Sequence, residues 1–383
     1  MIHAFWMNEP MGVHRVVVGM LFRLSVAAMV LMPALAIADS ADRADPIEAW
    51  LDEARAANDI PGVSAVVVSG GEMRFAGGSG LADIAHQEPM TADSVLYIGS
   101  ISKVLTAILT LNLVESGELS MDDRVGLVVN APRDKPVLVE HLLAHSAGLG
   151  REGDFGYWFT ADFPDNDALE RWLTTTTLRS APGARLHYSN TGYAALGLVI
   201  ERTLDRTFEQ ALTARVLEPL GMTNTGARGP APDIVKGYTP RGRILPSAAR
   251  PFAGVGAAVD GRHERQYHDA RAMSPAFGAW SSANDMGRLI MFLLGHEDEH
   301  VLSAEMRLRM RERQSTGRGL GFKLGEVDGR QVARHDGWFA AHRTHLLLDA
   351  DSGVGVVVLA NSDNASAREL ADELYRFVLT TLE

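Results

Sequence analysis

The amino-acid sequence predicts an α/β fold with an all-α part. An antiparallel sheet is built from both ends of the chain and flanked by helices, and a helical domain is inserted between its halves. Three observations carry this expectation. Two strand-length apolar runs, Val63–Ser69 and Met73–Ala76, flank a Gly70-Gly71 turn near the start. Two more, Arg343–Leu348 and Val354–Leu359, flank Asp351-Ser352-Gly353 near the end. Most of the sequence between them is patterned at helical spacing. The expected boundaries are 39–110 with 261–383 for the discontinuous α/β domain and 111–260 for the helical domain.

The first 38 residues are set apart from this fold. Leu24–Ala38 is uncharged, Arg15 and Arg23 precede it, and Ala36-Ile37-Ala38 supplies small residues for a signal peptidase. This pattern predicts a signal peptide cleaved after Ala38 and an exported protein, periplasmic or secreted; the run is short for a membrane span. An uncleaved segment would be the one route to a membrane.

After it, Asp45-Pro46 opens a helix with Ile47, Trp50, Leu51 and Ala54 on one face, and Pro61-Gly62 ends it. Helical patterns follow at Lys103–Glu115, Val139–Ala144, Asn166–Thr174, Thr191–Thr203 and Phe208–Val216. A last helix, about Ser366 to Leu382, aligns Leu370, Leu374, Phe377 and Val378.

Composition narrows the chemistry. The 383 residues hold 36 basic and 48 acidic side chains, a net charge of -12 with no basic block. Such a chain is a poor match for nucleic acid. It has no Cys, which excludes disulfides, thiol nucleophiles and Cys-ligated zinc. Catalysis would fall to hydroxyls, carboxylates, His or Lys. Arg outnumbers Lys 32 to 4, so Lys103, Lys135, Lys236 and Lys323 each raise a question, because Lys can lose its proton where Arg cannot.

Three short patterns carry the candidate chemistry. In Ser100-Ile101-Ser102-Lys103, hydroxyl and amine stand at i and i+3, where they share a helix face. A desolvated Lys can act as base for a Ser nucleophile; alternatively Ser100 caps the helix and Lys103 is solvated. In Tyr188-Ser189-Asn190, a Tyr close to a Lys ammonium has its anionic form favoured and can shuttle a proton. The Asn amide there can fix Lys103 or a substrate carbonyl; alternatively the Tyr is bonded to a loop and the Asn caps a helix. In His335-Asp336-Gly337-Trp338, the Gly admits substrate to a strand, and the Trp338 and Ser100 amides can form an oxyanion hole. Lys323-Leu324-Gly325, one strand earlier, is a rival for this third place.

Together these patterns resemble the serine β-lactamase and penicillin-binding protein family, whose signature is S-x-x-K, a middle polar motif and K-T-G. The Y-x-N middle motif resembles the class C β-lactamase branch, with its D-aminopeptidase, DD-peptidase and carboxylesterase relatives. LVESGELSMDD, VEHLLAHSAGLG, EPLGMTNTG and AFGAWSSANDMGRLIMFLL resemble that family's connecting segments, so the likeness runs from about Ile47 to Leu382. It implies a β-lactamase-like fold with no cofactor and no metal. It also implies Ser100 as acylated nucleophile, Lys103 and Tyr188 as proton relay, and Asn190 as orienting group. His335, Asp336, Gly337 and Trp338 would line the substrate and oxyanion side. The departure is H-D-G for K-T-G. In the family, the Lys and Thr receive a β-lactam carboxylate, which Asp336 would repel unless it points away. The expected partner is therefore a small-molecule or peptide-like acyl substrate, neutral or cationic, and the expected activity is carboxylesterase or D-amino-acid peptidase. A true β-lactamase or DD-peptidase, and a penicillin-binding sensor without turnover, remain alternatives.

Other features predict less. His141 and His145 stand at i and i+4, but without the Glu of a zinc motif. Arg307, Arg309, Arg311 and Arg313 read as a solvated helix edge. Phe155, Tyr157, Trp158 and Phe159 could roof the cleft or form a surface cluster. The absence of G-x-S-x-G argues against an α/β-hydrolase.

Overall fold

In a computed structural model, the described residues are 45–128, 130–153, 156–228, 233–242, 255–265, 269–296 and 300–381. The segment expected to be a signal peptide lies outside them.

The described residues start with helix α1 (Pro46–Ala57), where Pro46 occupies the first turn and the Asp45 carboxylate accepts from the Ile47 amide at 2.8 Å. Strands β1 (Gly62–Ser69), β2 (Glu72–Asp83) and the two-residue β3 (Glu88–Pro89) follow. Next come helices α2 (Ser102–Glu115), α3 (Asn166–Thr175), α4 (Asn190–Leu204), α5 (Ala283–Leu294) and α6 (Ala304–Arg311). The chain closes with β4 (Lys323–Val327), β5 (Arg330–Phe339), β6 (His342–Asp349), β7 (Val354–Ala360) and α7 (Ala367–Thr381).

The seven strands form one antiparallel sheet in the order β3-β2-β1-β7-β6-β5-β4. Its centre joins the two chain ends, with Val63 opposite Ala360 and Val68 opposite Gly355. The large antiparallel sheet flanked by helices is the fold the sequence predicts. Both faces are covered, which explains why Gly62–Val68 of β1 are all buried instead of alternating. Val63, Ala65 and Val67 face the terminal helices α1 and α7, against Trp50, Leu51, Leu370, Leu374 and Val378. Val66 and Val68 face the opposite core, with Leu289, Ile290 and Leu293 of α5.

Helix α5 was not among the helices expected, though its signals are local. Ser282 caps it by accepting from the Asp285 amide at 3.2 Å, and Gly295 ends it in the left-handed region at φ +91°. Arg307 departs from the expected solvated edge: it is buried, it donates to the Leu302 carbonyl at 2.8 Å and it covers the Phe292 ring. Helix α6 ends before Arg313.

Helix α2 places the candidate site. All of Ser102–Leu111 is buried, so this is an interior helix without a solvent face. A Lys in its first turn is forced into the protein. Among the described residues no helix is long and apolar enough to cross a membrane.

Candidate active site

Ser100 lies on a one-turn 3-10 segment, Gly99–Ile101, that leads into α2. Gly99 takes φ +53°, and a Cβ built on it would stand 2.3 Å from the Trp338 nitrogen. The Ser100 turn thus abuts the Trp338 peptide, which only Gly permits.

Ser100 does not cap the helix. Its Oγ receives the Lys103 Nζ at 3.3 Å and hydrogen-bonds the Tyr188 hydroxyl. The Lys103 Nζ also donates to Asn190 Oδ1 at 2.8 Å and to the Ala276 carbonyl at 2.6 Å, and stands 4.8 Å from the centre of the Tyr188 ring. Every hydrogen-bond partner of this amine is uncharged. Burial therefore drives its proton affinity well below that of a free Lys, and Arg151 and Arg318 push it the same way.

Tyr188 behaves differently from the sequence expectation. Its burial outweighs the effects that favour phenolate, and its pKa is pushed up to about 12. The hydroxyl stays protonated at neutral pH, and of the pair Lys103 is the group able to hold a lone pair.

The middle motif divides its labour. Ser189 caps α4 by accepting from the Gly192 amide at 2.8 Å, which leaves Asn190 free to face Lys103. The segment is latched to His145, whose carbonyl accepts from the His187 amide at 2.8 Å and whose Nδ1 accepts from the Ser189 amide at 3.1 Å. His141 likewise accepts at Nδ1 from the Leu138 amide. Both imidazoles of the H-x-x-x-H pattern are thus committed to backbone, and the described residues hold no metal-binding cluster.

Glu152 is the functional residue missed by sequence reasoning. Its two carboxylate oxygens accept from Asn190 Nδ2 at 3.0 and 2.9 Å, and it also pairs with Arg151 and the Tyr157 hydroxyl. This fixes the Asn190 amide with its oxygen toward Lys103.

The third motif lies on β5. His335 is buried, its Nδ1 donates to the Asp336 carbonyl at 2.8 Å, and its pKa falls to about 3 through burial and the neighbouring Lys103. It is a neutral imidazole, unlike the cation at this place in K-T-G. Asp336 borders the cleft; its side chain, 55% exposed, lies on the opposite pleat from His335 and accepts from Nδ1 of the fully buried His345 at 2.9 Å. That bond, with the Arg368 charge nearby, outweighs burial and holds the carboxyl far below the usual range. Gly337 has a different reason from the one expected. A Cβ there would lie 1.9 Å from Thr344 Oγ1 and 2.1 Å from the Ile98 carbonyl, so the Gly admits the protein's own backbone.

These groups share one cleft of about 440 Å3. Ser100, Tyr188, Asn190, His335, Asp336, Gly337 and Trp338 all line it. One wall is aromatic, with Trp158 stacked on Trp338 at 5.5 Å between centroids and 17° between planes. Trp158 therefore contributes to the cleft, while Tyr157 is buried against Phe163 and Phe277. Phe155 and the Phe159 side chain lie outside the described residues.

A profile of the beta-lactamase family matches residues 47–380. The chain belongs to the beta-lactamase family. Its relatives in that family include esterase EstB of Burkholderia gladioli, 28% identical over 85% of this chain and 92% of that one. Penicillin-binding protein 4 of Amycolatopsis lactamdurans is 28% identical over 84% and 88%. Among solved structures, the octameric penicillin-binding protein homologue from Pyrococcus abyssi superposes with a TM-score of 0.71 at 25% identity, over 87% of this chain and 76% of that one. The D-amino acid amidase from Ochrobactrum anthropi SV3 shares the fold with a TM-score of 0.75 at 21% identity, over 88% and 99%. This is a β-lactamase-fold family of serine hydrolases with esterase and penicillin-binding relatives, and the chain is an enzyme of that kind.

Proposed function

We propose that the protein is an exported hydrolase that cleaves ester or amide bonds through an acyl-enzyme on Ser100. The activity is of the carboxylesterase or D-amino-acid peptidase type, with weak or no β-lactamase activity. The observation that carries this reading is the buried Lys103 amine, hydrogen-bonded to Ser100 Oγ and surrounded by uncharged acceptors.

Lys103 takes the Ser100 proton as Oγ attacks the acyl carbon. The Ser100 and Trp338 amides, on backbones that approach each other at Gly99, receive the developing oxyanion. Tyr188, held protonated beside Ser100, donates to the leaving group and is reprotonated by Lys103, which holds the proton taken from Ser100. Water then attacks the acyl-enzyme with the same relay running in reverse. Asp336, an anion on the strand where K-T-G carries Lys and Thr, disfavours β-lactam carboxylates there.

Intact mass of residues 39–383 during reaction with p-nitrophenyl acetate, and separately with a penicillin, tests the reading. Ester turnover that vanishes in Ser100→Ala supports it. Fast penicillin turnover contradicts the substrate assignment. A persistent adduct without turnover makes the protein a penicillin-binding sensor.

Glu152→Gln probes the relay from behind. The Glu152 charge raises the Lys103 proton affinity, so its removal lowers the Lys103 pKa further. The acid limb of the kcat/KM profile should move to lower pH, with kcat reduced about tenfold as the Asn190 amide loses its fixed orientation. An unshifted limb would show that Glu152 does not act on Lys103.

A further inference from the structure

The chain is net negative, yet its cleft is not. Four cations line it, Arg151, Arg318, Lys323 and Arg343, against one carboxylate, Asp336. Most of this charge is already engaged. Arg151 pairs with Glu152 at 2.9 Å, Arg343 donates to the Asp363 carbonyl and covers the Trp338 ring, and Asp336 is held by His345.

Two cations are left over. Neither the Arg318 nor the Lys323 side chain has a hydrogen-bond or ion-pair partner among the described residues; Arg318 rests on the Tyr188 ring, 5.2 Å from its centre. Lys323 opens the edge strand β4 opposite Arg334, one residue before His335, and Arg318 stands five residues earlier on the approach to that strand. The two repel each other, Arg368 and Arg334 add to the positive field at Lys323, and Asp336 offsets part of it. Such a cluster is unfavourable while empty and becomes favourable when an anion joins it.

We propose that Arg318 and Lys323 form an anion subsite, and that the substrate is an ester or amide bearing a carboxylate away from the scissile bond. This deepens the hydrolase reading above and rests on it for the bond that is cut. It also revises the preference for neutral or cationic substrates that Asp336 alone suggested. Asp336 offsets part of the Lys323 charge, and Arg318, on the Tyr188 side of the cleft, supplies the second cation that a substrate carboxylate needs. Arg offers a planar fork and Lys a mobile point charge, a pairing that accommodates a carboxylate at more than one angle.

The test compares phenyl acetate with 3-carboxyphenyl acetate and with phenyl hydrogen succinate, which carry the charge on the leaving-group and acyl sides. The readout is the ratio of kcat/KM for the better charged ester to that for phenyl acetate. Wild type should favour the charged ester about tenfold at low salt, and the ratio should fall as salt rises. Lys323→Met and Arg318→Met should each erase most of it. Because Arg318 also touches Tyr188, benzoate binding to Ser100→Ala, followed by tryptophan fluorescence, supplies a readout without turnover. Binding there should weaken about tenfold in Ser100→Ala/Lys323→Met. A wild-type ratio of one or less, or a ratio and a benzoate affinity that ignore both substitutions, overturns the subsite. Ester hydrolysis that survives in Ser100→Ala would instead sink the hydrolase reading, whatever the benzoate result.

Discussion

Lys103→Met is expected to lower kcat/KM for an ester by about three orders of magnitude, the scale of a lost general base, while leaving the protein folded. The argument rests on where α2 lies. Its first turn is interior, so the Lys103 amine has lost its water and its proton affinity is well below the ordinary value of 10.5. The unfolded chain therefore binds a proton that the native chain does not hold. Between the native pKa and about 10.5 the unfolded state carries more protons, so native stability rises with pH and this Lys is a burden at neutral pH. Methionine removes the burden. Relative to the variant, wild type should gain stability as pH climbs toward 10.5, measured by urea unfolding of both proteins. In catalysis the same depression is an advantage, and wild-type activity should rise with pH as the amine sheds its proton. Activity loss matched by global unfolding of Lys103→Met would refute the assignment.

Gly337→Ala is expected to lower kcat about 10²- to 10³-fold, the range associated with loss of an oxyanion donor, with a smaller change in KM. The added methyl would meet Thr344 Oγ1 and the Ile98 carbonyl, both inside van der Waals contact. Strand β5 must then move away from the Ile98–Gly99 peptide, carrying the Trp338 amide away from Ser100. The two obstacles separate in a double variant. Thr344→Ala removes the hydroxyl, which itself donates to the Ile98 carbonyl at 2.9 Å, but the carbonyl stays. Gly337→Ala/Thr344→Ala should therefore remain impaired. Full rescue would mean that the side-chain clash alone mattered and that the strand does not shift.

The sequence was informative where chemistry is local and weaker where it depends on register. Ser100 and Lys103 are three residues apart, so helical spacing alone brings them together. The antiparallel sheet from both chain ends was legible because each half carries its own turn. Glu152 was not, since its bond to Asn190 spans 38 residues and an acid beside Arg151 in a loop has no periodic signal. The behaviour of Asp336 was half legible. Its negative charge was plain, but the bond that holds it depends on His345 standing opposite on β6. Tyr188 was misjudged because proximity to a cation was weighed without burial, and burial dominates. Gly337 was rightly singled out for a reason the packing replaces.

The seam between β1 and β7 sets the order of assembly. The Gly62 amide donates to the Asn361 side chain, a residue 299 positions away, and the strands beside it pair across similar separations. Closing so long a loop costs entropy that no local contact repays, so the seam forms late and slowly. A ribosome must release nearly the whole polypeptide before β1 can meet its partner. Until then β1 and β2 form a hairpin whose open edge is a run of valines, a template for pairing with another nascent chain. Shortening the C-terminus by the length of β7 and α7 would leave Ser100 and its relay in the sequence yet yield aggregate in place of a weakened enzyme.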